Sequence, residues 1–438
     1  MAQGPTSAVI FSYRVGFGDC FLLRFSYKDE ADRHILIDFG TTGIPDDEEA
    51  DLMVRVAKDI KAKCGDRLEA VVATHRHADH ISGFTTKADG TGSGDIIAGI
   101  KSIGVVIQPW TEAPEAETDS LGPIVATEDG VRTLAARQLS LQTMHDTADR
   151  VVEMLGTKAL ARAPAETREQ LEFIGRDNVK NLSAVENLMR IGERHVYAYH
   201  GADAGLDDLL PGVKTRVLGP PTLRQTETIR KQRARDPDEY WQFALNGLEA
   251  EKAFGEAGEE DRLFPNHPTL PGGKLPMEVR WIAGRLNEAR SGQFLSLVTA
   301  LDQQMNNTSL ILLFEAGGKK LLFPGDAQIE NWRYALDQPD ITSLLADVDL
   351  YKVGHHGSLN ATPRSLWSKF GKRSADESKE DRLTTILSTK PGKHGHEKDH
   401  TEVPRLTLLK ELKEQSDLHS THLLDEGTLY QEIGISFV

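Results

Sequence analysis

Two cysteines in 438 residues, Cys20 and Cys64, are too few to staple a fold of this length. That excludes a disulfide scaffold and fits a reducing compartment. No apolar run approaches the roughly 20 residues of a membrane span, so no membrane contact is expected. Met1 to Ser7 hold no basic stretch leading into an apolar core, and cytoplasm is the expected location. Basic side chains are in deficit, with 51 Lys and Arg against 67 Asp and Glu, a balance of −16. Such a surface repels polyanions at long range, which argues against a general duplex-binding protein. Nucleic acid is expected only through a local basic groove. The best basic segment, Arg224 to Arg235 with Arg230, Lys231 and Arg233, reads more simply as the solvated face of a helix.

What is present is an ordinary globular composition, 39% apolar and 27% charged. Against it stands one unusual stretch, Thr74-His75-Arg76-His77-Ala78-Asp79-His80, directly after the apolar run Ala70-Val71-Val72-Ala73. His75 and His77 are two apart at the end of an expected strand, so both can turn to one side. Asp79 and His80 follow in the turn and reach a second point nearby. Imidazole nitrogens with a hard carboxylate suit zinc, and also iron or manganese, better than calcium or magnesium.

Alternation and β-branched residues predict strands at about 9–13, 20–25, 34–39, 70–74, 105–108, 196–199 and 214–218. A second set falls at about 310–314, 320–323, 349–353 and 384–388. Between them the pattern turns helical. The segments 120–190 and 221–305 are expected to be largely helical insertions that roof the site and select its substrate. The length exceeds a usual single domain, which implies two domains or one with large insertions. One domain over 1–438 is the preferred reading, because candidate ligands come from both ends of the chain.

His75-x-His77-x-Asp79-His80 resembles the HxHxDH signature of the metallo-β-lactamase superfamily. Val15-Gly16-Phe17-Gly18-Asp19-Cys20 and Ile35-Leu36-Ile37-Asp38-Phe39-Gly40 resemble the opening hairpin of the branch that includes the hydrolase domain of bacterial DNA-uptake channels. That branch usually has glutamine where this chain has Phe17. Leu322-Phe323-Pro324-Gly325-Asp326 and Val353-Gly354-His355-His356-Gly357-Ser358 resemble its later ligand loops, and the late loop Ser388 to Glu397 stands where that branch has a glycine-histidine-proline element leading into a helix. The order of strands and helices then implies an α+β protein built as an αββα sandwich, with ligands on loops at one edge.

The resemblance implies a site for one or two zinc ions. His75 and His77 would bind the first, Asp79 and His80 the second, and Asp326 would lie between them. Either His355 or His356 completes the second site, and the other contacts substrate. Where many members carry a further histidine, this chain has Asn306 and Asn307. An asparagine oxygen, a water or His200 would complete the first site, or that site is absent. Asp38 is placed to orient one histidine from behind. Asp79 would also orient the hydroxide that attacks a phosphorus or carbonyl centre. Lys352 would meet transition-state charge, and His396, with Lys390 or Lys393, the leaving oxygen. A phosphodiesterase or nuclease is the leading expectation. A hydrolase of a small ester, lactone or amide is the alternative, and a noncatalytic metal-bearing module the third. A homo-oligomer is compatible with all three.

Overall fold

A computed structural model describes residues 4–113, 182–222, 224–226, 306, 308–358, 362–394 and 402–437. All of them lie in one compact unit. Strands β1 (Ser7–Tyr13), β2 (Cys20–Ser26), β3 (Arg33–Phe39), β4 (Arg67–Val72), β5 (Ser102–Pro109) and β6 (Arg194–Ala198) come first. Then follow β7 (Lys214–Gly219), β8 (Ile311–Ala316), β9 (Lys319–Phe323), β10 (Leu350–Lys352), β11 (Thr384–Leu387), β12 (Asp417–Ser420) and β13 (Tyr430–Ser436). They form a sheet of order β13-β1-β2-β3-β4-β5-β6 and a second of order β12-β11-β10-β9-β8-β7.

Alternation along the strands places one apolar set between the sheets. Phe21, Leu23, Phe25, Ile35 and Ile37 of the first sheet share a buried core with Leu312, Phe314, Leu321 and Phe323 of the second. The rings of Phe21 and Phe323 lie 5.9 Å apart, centroid to centroid, at an interplanar angle of 65°. The alternate residues face outward and are buried again, which is why these strands read as continuous apolar runs. On the second sheet, Ile311, Leu313, Leu322 and Tyr351 pack against Trp332, Leu345 and Phe370. Over the first sheet, the helix Leu52–Lys63 turns Leu52, Val56, Ala57 and Ile60 inward at helical spacing. Tyr13 of β1 donates to Asp59 of that helix at 2.7 Å.

The two strands not anticipated from the sequence are edge strands. β13 pairs antiparallel with β1 from Ser7↔Ser436 to Tyr13↔Tyr430, and β12 pairs parallel with β11. Each is covered less than a central strand, so neither carries a strong apolar signal. The expected insertions at 120–190 and 221–305 lie almost wholly outside the described residues, where the first contributes the helix Leu182–Arg190.

Strands β3, β4, β5 and β6 run parallel, as do β9, β10, β11 and β12. Asp38 lies near the carboxyl end of β3, and residues 74–80 follow that of β4. Asp326 follows β9, His355 and His356 follow β10, and Ser388 follows β11. Side chains from distant segments therefore meet where parallel strands end, the usual place for a site in such sheets.

Replacing Phe323, 1% exposed, by alanine should cost about 3–5 kcal/mol in urea unfolding, because the cavity lies between the sheets. Leu423→Ala, at a side chain 58% exposed, should stay within about 0.5 kcal/mol and serves as the control.

Candidate metal centre

β4 ends at Val72, two residues before the histidine-rich turn. The turn is anchored from behind. Asp38, whose backbone is left-handed (φ 54°), accepts hydrogen bonds from the Thr74 N–H and Thr74 Oγ1, both at 2.7 Å. Its Oδ2 also lies 2.8 Å from His80 Nδ1. With Nδ1–H donating to Asp38, His80 Nε2 is directed away from β3 and lies 3.1 Å from Asp326 Oδ2 and 3.9 Å from Asp79 Oδ1. His77 is the residue before the short helix Ala78–Ile81, which carries Asp79 in its first turn. Gly40 makes this possible, since a Cβ there would meet the backbone of residues 78–80 at 2.5 Å.

His356 is set in the same way. Its Nδ1 lies 3.0 Å from the Ser388 carbonyl, and its Nε2 lies 2.9 Å from Asp79 Oδ2. Both His355 and His356 are left-handed, with φ of 44° and 50°, a conformation that costs a non-glycine residue about 1–3 kcal/mol. The strained turn aims consecutive histidines differently. His355 donates its backbone N–H to Asp326 Oδ1 at 2.9 Å, and its Nδ1 lies 2.9 Å from Ser358 Oγ.

Three groups of side chains bring one donor atom each within 4.8 Å of one another. They are Asp79 with His80, Asp326 and His356; His75 with His77 and Asp79; and Asp19 with Asp38 and His80. Asp79 and His80 each belong to two of them. Among the described residues these groups include His356 but neither His355 nor His200. The His200 Nδ1 lies 2.8 Å from the Leu218 carbonyl, and its ring packs edge-on against Tyr334.

The donor set suits a divalent cation by its own chemistry. His75 is buried at 1% exposure, and its Nε2 has no hydrogen-bond partner. An orphaned buried polar atom costs about 1–3 kcal/mol, a deficit that a bound ion removes. Burial, with His80 and His77 adding to it, holds the His75 pKa far below the ordinary imidazole value, so the ring is a neutral donor. Burial also opposes charge on His80, yet Asp326, Asp38 and Asp79 outweigh it and raise its pKa well above the ordinary value. His356 is raised too: burial opposes its charge, and the hydrogen bond to Asp79 prevails. Asp79 is held far below the usual carboxylate range, because His80 and His356 overcome the burial that would raise it. Without an ion, the carboxylates draw protons toward both imidazoles. A cation would take the place of those protons.

Lys352, expected to face the substrate, is 1% exposed, with its ammonium between Asp19, Asp326 and the Gly325 carbonyl. Asp19 was legible as a carboxylate in the hairpin, but its pairing with Lys352 was not. A lysine inside the apolar strand Leu350-Tyr351-Lys352-Val353 was the signal for a buried anion. Arg76, inside the motif, is held by Glu112 through contacts of 2.6, 2.9 and 3.0 Å. Of the late loop, Lys390 reaches the Ile44 carbonyl at 2.8 Å and Asp46 at 2.5 Å. His396 and Asn307 lie outside the described residues. Asn306 is buried at 1% exposure and its Oδ1 has no hydrogen-bond partner.

Fold and side chains together define a two-sheet α+β protein with a buried histidine–carboxylate centre fit for a metal ion. Residues 13–86 match the family model of the metallo-beta-lactamase superfamily. The match covers the hairpin, β3, β4 and the HxHxDH turn, and it supports the superfamily and a metal-dependent hydrolase. No curated protein matches the chain.

Since neighbouring carboxylates raise the proton affinity of His80 and His356, a zinc ion competes there with protons, so zinc binding should release protons and affinity should fall as pH is lowered. Titration calorimetry in buffers of different ionisation enthalpy checks this. Binding without proton release, and with affinity independent of pH, would contradict it.

Proposed function

We propose that this protein is a metal-dependent hydrolase of phosphodiester bonds, a nuclease or phosphodiesterase, built on an αββα metallo-β-lactamase sandwich. The observation that carries the substrate class is the convergence of the three segments that resemble the DNA-uptake branch. Ser388 donates to the Gly18 carbonyl at 2.5 Å, and its own carbonyl accepts from His356. Phe17 packs between His356 and His394, with ring centroids 4.2 and 4.3 Å away. Hairpin, HHGS turn and late loop thus form one wall of the centre, beside Asp79.

His75 and His77 hold one ion in this reading, and Asp79, His80, Asp326 and His356 hold another. Zinc is the first choice, and manganese or iron would also suit the donors. A bound divalent ion supplies Lewis acidity and lowers the pKa of its water toward neutrality. Asp79, common to both groups, orients the attacking water, and Asp38 fixes the His80 tautomer. His355, whose ring is outside the ligand groups, faces substrate. His396 supplies a proton to the leaving oxygen, and Lys393, at the end of the same loop, offsets charge there. A reducing compartment such as cytoplasm fits the free thiols of Cys20 and Cys64.

Zinc- or manganese-loaded protein should turn over bis-(p-nitrophenyl) phosphate in preference to simple esters and lactones. Preference for esters or lactones would transfer the assignment to small-molecule hydrolysis, and no turnover of either by metal-loaded protein would favour a noncatalytic module. His396→Ala should lower diester turnover at least tenfold with metal content unchanged, in line with the loss of general acid catalysis. An unchanged rate would remove His396 from the mechanism.

A further inference from the structure

Asp326 has two oxygens in different surroundings. Oδ2 is 3.1 Å from His80 Nε2, inside the ligand group, whereas Oδ1 accepts the His355 N–H at 2.9 Å and lies 3.5 Å from Lys352 Nζ. The same ammonium donates to the Gly325 carbonyl at 3.2 Å and pairs with Asp19. Its three N–H donors therefore have three acceptors, all on the protein. At 1% exposure, with its ammonium engaged by Asp19, Asp326 and the Gly325 carbonyl, Lys352 is directed at protein atoms instead of at a substrate.

We infer that Lys352 is a positioning residue, not a catalytic one: it pins Asp326 Oδ1 so that Oδ2 alone is presented to the metal. The inference rests on the metal-centre reading above and deepens it. Its physical basis is the rotational freedom of a carboxylate. An unrestrained Asp326 could turn either oxygen, or both, toward a cation. Two donors on Oδ1, one a backbone N–H and one a cation, remove that freedom before the ion arrives. Asp19 has a part in this, because Lys352 is held in place from the hairpin side. The pair ties residues of β2's approach and β10 to the loop after β9, so the position of one ligand depends on three segments far apart in sequence. Without Asp19 the buried ammonium would be left with Asp326 as its one paired carboxylate among the described residues, so removing one partner alone unbalances the other.

Two roles are separable by experiment. If Lys352 only balances the charge of Asp19, removing both charges together should restore both folding and metal binding. If it positions Asp326, removing both should restore folding alone. Zinc affinity, measured by competition with a chromophoric chelator, and cobalt(II) absorption in the visible range are the readouts, with Lys352→Met, Lys352→Arg and Asp19→Asn/Lys352→Met compared with the unaltered chain. Lys352→Met and the double variant should each lose about 10- to 100-fold in affinity at one site, as loss of a ligand's supporting partner typically does. Their cobalt spectra should change, and Lys352→Arg should retain part of the affinity. Thermal unfolding of the double variant should match that of the unaltered chain within a few degrees. Wild-type affinity and spectrum in the double variant would overturn the inference, as would a loss of turnover in Lys352→Met with metal affinity intact. Failure of the unaltered chain to bind zinc or cobalt would instead remove the metal-centre reading on which the inference stands.

Discussion

Asp19, Asp38, Asp79 and Asp326 are all buried, each at 8% exposure or less, and the mutual repulsion of these carboxylates is the constraint that the rest of the structure answers. Carboxylates taken out of water must be paired or hydrogen-bonded. Asp38 is balanced by the Thr74 N–H and hydroxyl and by His80, and Asp19 by Lys352. Asp79 and Asp326 form one group with His80 and His356. Their carboxylate oxygens make the centre attractive to a cation, while Lys352 lies buried beside Asp326 Oδ1.

The two sheets hold this arrangement against its own strain. Asp38, His355 and His356 adopt left-handed backbone that side chains with a Cβ avoid. Gly40 lies so close to the Ala78–His80 turn that no larger residue fits without displacing it. These costs are offset elsewhere, in the core between the sheets and in the second apolar layer around Trp332 and Phe370. Function and stability are thus divided in space, with the strained loops at the carboxyl ends of the strands and the apolar packing along their length.

Much of this was legible in the sequence, for local reasons. The His75 to His80 turn concentrates ligand types in six positions, and central strands covered on both faces are long apolar runs. Asp326 and the HHGS turn each follow such a run. What was not legible depends on contacts between remote segments. His356 meets Asp79 across 277 positions, and nothing in two consecutive histidines says which will turn inward. That choice is made by the left-handed turn and by Ser388, from another strand. The place of Asp79 in two ligand groups follows from the first turn of the short helix, which the sequence offers only as a polar loop. The edge strands β12 and β13 were illegible because an edge buries too little to leave an apolar pattern.

In this protein, histidine and aspartate side chains from both halves of the chain are positioned to bind a metal ion. X-ray absorption at the zinc edge, on protein loaded to stoichiometry, tests this most directly. The spectrum should show a shell of nitrogen and oxygen at about 2.0–2.2 Å with the outer scattering of imidazole rings. Failure to retain stoichiometric zinc, or a shell without imidazole scattering, would contradict it.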